Sequence, residues 1–83
     1  MSEVDTLPTM LELRWKDRDE AAGWIIKRPD GYWECTMRWD YSEDGHGIWT
    51  EVVAVETSMS AAMRVIEGNT NPLFRGGWRD VAI

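Results

Sequence analysis

The stretch Arg28-Pro29-Asp30-Gly31-Tyr32-Trp33-Glu34-Cys35-Thr36-Met37-Arg38-Trp39-Asp40-Tyr41 decides the fold. Pro29 presets φ for the first central position of a turn, and Gly31 accepts the left-handed conformation that closes a type I turn with a bulge. This is a hairpin signal. Beyond the turn, Trp33, Cys35, Met37, Trp39 and Tyr41 alternate with Tyr32, Glu34, Thr36, Arg38 and Asp40. That period of two predicts a strand near 32–41 with one apolar and one mixed face.

Working upstream, Trp24-Ile25-Ile26-Lys27-Arg28 supplies the other arm of the hairpin, a strand near 24–28. The run Asp17 to Gly23 is polar, ends in glycine and reads as a connection or a single helical turn. Before it, Leu11, Leu13 and Trp15 alternate with Glu12, Arg14 and Lys16, predicting a half-buried strand near 10–16. Residues 1–9 mix acid, threonine and Pro8 without a period and read as a flexible arm.

Downstream, the polar loop Ser42-Glu43-Asp44-Gly45-His46-Gly47 leads into Ile48-Trp49-Thr50-Glu51-Val52-Val53-Ala54-Val55, whose β-branched content favours a strand near 48–56. Its second half is apolar on both faces, which places it centrally in a sheet. Thr57 or Ser58 can cap a helix near 58–67 in which Met59, Ala62, Met63 and Ile66 form one stripe, with Gly68 as a left-handed stop. In the tail, 72–83, Phe74, Trp78, Val81 and Ile83 are expected to act as apolar anchors, with a last strand as one way of doing so. The expected fold is α+β, a single domain over 10–83: a small antiparallel meander of three or four strands with one amphipathic helix packed on one face. So short a helix covers part of such a sheet, leaving the rest to water, a partner or a second copy.

Composition narrows the function classes. A chain of 83 residues builds one small core. Its 43% hydrophobic content excludes wholesale disorder. The formal charge of -6 and pI near 4.6 argue against gripping duplex DNA through the net field. One cysteine, Cys35, cannot form an intramolecular disulfide, and residues 1–5 lack the basic start and apolar run of a signal peptide, so the expectation is cytoplasmic. The longest uncharged apolar run, Val52 to Val55, is far short of the ~20 residues of a membrane span. Six tryptophans are many for this length, and side chains that large are seldom all buried.

Few residues suggest chemistry. Asp40, Ser42, Asp44, Gly45 and Glu51 occupy positions 1, 3, 5, 6 and 12 of the EF-hand calcium loop. Gly47 stands where that pattern has an aliphatic residue, and both flanks have strand period where the EF-hand has helices. A solvated acidic hairpin loop, with Gly45 and Gly47 at positive φ, is the expectation, and no metal site is assigned. Cys35 falls on the apolar face, where a thiol is an inert small hydrophobe, and His46 belongs to an exposed loop. No phosphate loop, carboxylate pair or serine elbow is recognisable, so neither an enzyme nor a cofactor is expected.

Two groups of residues suggest contact. Trp15, Trp33 and Trp39 suit the face under the helix, whereas Trp24 and Trp49 compete with Ile25 and Ile48/Val52 for burial. The second face should then carry Arg14, Lys16, Tyr32, Thr36 and Arg38 with Trp49 or Ile48, a mixed surface of the type that stacks bases or forms protein hot spots. The acids Asp17, Asp19 and Glu20, and Asp40, Glu43 and Asp44, cluster in two connections that could dock on a basic partner. Three strands followed by a helix, with Gly31-Tyr32-Trp33-Glu34 after the turn, resemble the arm-type DNA-binding module of phage integrases over residues 24–67. That module's sheet is basic, whereas this one carries Glu34, Asp40, Glu51 and Glu56.

The expected function is that of a small acidic, non-enzymatic protein acting through protein contact, an inhibitor or adaptor similar in profile to viral accessory proteins and nucleic-acid mimics. Its partner would be a basic or nucleic-acid-binding protein, not a nucleic acid or membrane, and a homodimer through the uncovered sheet face is compatible with this. The alternative is a single-strand nucleic-acid binder using Tyr32, Arg38 and Trp49.

Overall fold

The computed structural model describes residues 9–81. Strands β1 (Met10–Trp15), β2 (Ala21–Lys27), β3 (Trp33–Tyr41) and β4 (Gly47–Glu56) form an antiparallel meander. Helix α1 (Met59–Gly68) then crosses one face, and β5 (Arg75–Asp80) returns antiparallel to β1, giving the order β4-β3-β2-β1-β5. The fold is α+β. Its sheet has five strands, one more than the expected maximum, because the tail pairs with β1 along Leu11↔Asp80 to Trp15↔Arg75. The tail is held by Trp78, which packs against the core and donates its indole N–H to Glu67 at 2.8 Å. Phe74 is exposed, so it does not serve as an anchor, and Ile83 and the arm over residues 1–8 lie outside the described residues.

The hairpin signal is realised as read. Gly31 N–H donates to the Arg28 carbonyl at 3.0 Å and Arg28 N–H donates to the Tyr32 carbonyl at 2.7 Å, closing the turn with Gly31 at φ 92°. The core lies between sheet and helix: Leu11, Leu13, Ile25, Trp33, Cys35 and Met37 below, Ala62 and Ile66 above. Ser58 caps α1 by accepting from Ala61 N–H at 3.2 Å. The helix end differs from expectation, because Gly68 stays helical, and the Asn69 amide and Thr70 hydroxyl satisfy the last carbonyls instead of a left-handed glycine.

Two expectations fail for identifiable reasons. Strand β2 begins at Ala21, three residues before the expected start, and Ala21, Ala22 and Gly23 are buried. Gly23 is not a turn residue but a close-approach site: a Cβ there would lie 2.7 Å from the Thr36 carbonyl oxygen and 3.0 Å from Ile66 Cγ2. Strand β4 is an edge, not a central strand. Its register shifts between Cys35↔Ala54 and Thr36↔Val52, so Val53 is an inserted residue and both Val53 and Ala54 pack toward the core. A bulge therefore produced the two-faced apolar run that burial on both faces would also produce.

Candidate interaction site

Strand β3 outruns its neighbour. Its pairing with β2 ends at Gly23↔Met37, whereas its pairing with β4 continues through Arg38↔Thr50, Trp39↔Trp49, Asp40↔Ile48 and Tyr41↔Gly47. These last rungs form a hairpin that projects beyond the β2–β3 ladder. Directly opposed residues share a face, so Trp39, Tyr41 and Trp49 lie on the helix side, where Trp39 packs at the margin of the core and Tyr41 and Trp49 are exposed. Tyr41 and Trp49 stack with centroids 5.4 Å apart and remain 44% and 43% exposed. Trp39 is half-buried and donates its indole N–H to Glu51 at 3.0 Å.

Carboxylates surround this aromatic group. The tip is a 3-10 turn, Ser42–Asp44, closed by Gly45 at φ 81° and followed by Gly47 at φ 83°. Asp40 accepts from the Ser42 hydroxyl at 2.6 Å and the Ser42 N–H at 3.1 Å. Those two hydrogen bonds, assisted by Arg38 and Arg18, hold its carboxyl below the ordinary range, so it is charged at neutral pH. Glu43 and Asp44 are exposed beside it. Tyr41, Asp44, His46 and Trp49 line one shallow hollow, and Trp15, Arg18, Met37, Trp39, Tyr41 and Asn69 contribute to a second, off the end of α1.

The meander brings the two acidic connections to the same end of the sheet. Asp17 and Asp19 are exposed in the β1–β2 loop, Asp19 pairs with Arg14, and Glu20 bonds Arg38 at 3.4 Å. Arg18 lies over the Trp15 ring at 5.6 Å and also lines the hollow formed by Asp40 to Asp44. The other proposed grouping is dispersed. Trp49 is on the helix side, Arg38 points to the opposite face and is held by Glu20, and Tyr32 sits in the β2–β3 turn roughly 20 Å down the strand from Arg38. On that open face Ile48, not Trp49, accompanies Thr36 and Arg38, while Trp24 and Arg14 both bond the nearly buried Glu12.

Cys35 is fully buried, with its thiol directed at the Ala62 carbonyl at 3.7 Å. Burial first, then the nearby Glu56 charge, raises its pKa above the usual thiol value. His46, at the hairpin tip, is roughly 20 Å from it by strand length, so the two do not form a nucleophile and base. Among the described residues no three His, Cys, Asp or Glu side chains converge to hold a metal ion, and Glu51 of the calcium-like pattern is engaged by Trp39. No helix among them is long and apolar enough to cross a membrane.

The residues that sequence reasoning missed are Tyr41, Trp39 and Glu51. Alternation assigns both aromatics to the helix face, but it does not show that Trp39 is only half-buried and Tyr41 exposed. Compared with protein-family models, curated proteins and solved structures, the chain matches none. The likeness over residues 24–67 to integrase arm modules gains no support from any of the three.

Proposed function

We propose that this protein is a small, non-enzymatic cytoplasmic contact module, an inhibitor or adaptor, that binds a basic protein segment at the projecting β3–β4 hairpin. The observation carrying this reading is the half-exposed Tyr41–Trp49 stack beside Asp44, with Glu51 on the same face of β4 and Asp40 at the strand end on the other. Aromatic faces attract lysine and arginine cations, and adjacent carboxylates strengthen that preference while repelling phosphate. Glu43 extends the negative field that steers a basic partner toward the stack, and Asp17 and Asp19, paired with Arg18 and Arg14, would exchange those pairs for the partner's cations. A nucleic-acid-binding protein presents such a segment, so this end would act as a mimic of its ligand. Single-strand binding is the less favoured reading, because Arg14 and Arg38 are both engaged by carboxylates.

The test is capture of partners from native lysate by the wild type, Trp49→Ala, and a variant neutralised at Asp40, Glu43 and Asp44. The reading expects basic proteins on the wild type, loss of most of that material with Trp49→Ala, and salt-sensitive weakening with the neutralised variant. Tryptophan quenching by micromolar single-stranded oligonucleotide, reversed by salt, would favour the rival.

A further inference from the structure

The two edges of the sheet differ. β5 is six residues long and carries Arg75, Gly76, Gly77, Arg79 and Asp80, the charged and glycine-rich composition that discourages strand addition. β4 is ten residues long, lacks lysine, arginine and proline, and exposes Ile48 (53%), Val52 (51%) and Val55 (44%). Among the described residues nothing pairs with its outer side. Ahead of the bulge at Val53, the regular segment Gly47 to Val52 carries a single charge, Glu51, and offers a template for another strand.

We propose that the strand which adds to β4 is β4 of a second copy, paired antiparallel about a two-fold axis through Thr50. In a two-fold antiparallel pair, opposed residues share a face, so the axis must pass through one residue. An axis at Glu51 would set two like charges directly opposite. One at Val52 would run both strands through the bulge at Val53, and one at Trp49 would leave Val52 outside the pairing. The Thr50 axis uses the regular segment: Ile48 faces the copy's Val52, Trp49 faces its Glu51, and Thr50 faces Thr50.

On the open face, this arrangement gathers both copies' Ile48 and Val52 around two threonines, with no acid opposite an acid. The two sheets become one of ten strands, and the hairpin aromatics stay accessible on the helix side. This dimer stands independently of the basic-partner reading. Pairing over five to seven residues puts it in the small, transient class, below about 1,200 Å² in total, so self-association is expected at tens to hundreds of micromolar, roughly.

The test is sedimentation velocity from ~10 μM to ~1 mM, with circular dichroism to confirm folding, on the wild type, Ile48→Lys, Val52→Glu and the double variant. Both sites are exposed, so the fold should survive each change. Wild type should dimerise, either single change should weaken dimerisation by at least ~10-fold, and the double variant should recover it, because the new lysine faces the new glutamate of the other copy. A wild type that stays monomeric, a dimer indifferent to the single changes, or a double variant without recovery overturns the proposal.

Discussion

Strand β3 keeps one alternation from Trp33 to Tyr41, yet its two ends meet different surroundings. From Trp33 to Met37 the inward side chains lie under α1 and between β2 and β4, and they are at most 7% exposed. From Trp39 onward the ladder to β2 has ended; Trp39 packs at the margin of the core and is half-buried, and Tyr41 is 44% exposed. Period two tells which side a residue faces. Whether that side is covered depends on elements outside the strand. The covered end therefore supplies stability, and the uncovered end supplies a surface.

The largest effect should come from the covered end. Met37→Ala removes a side chain that is 2% exposed and touches the core beneath Ile66, and should cost ~2 to 5 kcal/mol in urea melts. Gly23→Ala comes next. Its added methyl meets the backbone oxygen of Thr36, which cannot rotate away, so a loss of about 1 to 3 kcal/mol is expected even though the change is the smallest available. Trp39→Ala should cost roughly 1 to 2 kcal/mol despite the far larger group removed, since water already reaches much of it. A Trp39 cost equal to that of Met37 would show that the projecting end is covered in solution, and would break the contrast.

Sequence alone cannot rank Met37 above Trp39, since both occupy the apolar column of one strand. It does locate the column and the Pro29-Asp30-Gly31 turn, and it narrows the helix cap to Thr57 or Ser58, because each rests on a pattern of near neighbours in the chain. The failures share a different cause. Gly23 is required by Thr36 and Ile66, thirteen and forty-three positions on, and the exposure of Val52 depends on there being no strand beyond β4 among the described residues. Both are nonlocal facts. The site follows the same division: its acids and aromatics are visible as residue types, but bringing the Asp17–Asp19 loop beside the hairpin tip, and leaving Tyr41 and Trp49 uncovered, requires the assembled sheet.

The smallest expected effect tests what the uncovered end is made for. Asp40, Ser42, Asp44 and Glu51 have calcium-loop spacing, and a hard cation bound there would order the tip and cover part of the aromatic surface. The geometry opposes this. A calcium loop wraps its ion with a helix-borne bidentate glutamate, whereas Glu51 lies on β4 opposite Met37 and accepts the Trp39 indole N–H. Asp40 bonds back to Ser42, leaving both groups of that pair committed within the turn. Ligands on two antiparallel strands and a 3-10 turn do not close around one point. Millimolar calcium should therefore leave the melting temperature unchanged in both the wild type and Glu51→Gln. A rise of several degrees that Glu51→Gln abolishes would instead mean that the hairpin end is an ion-ordered loop, and the contrast between a stabilising and a contacting half of β3 would have to be redrawn.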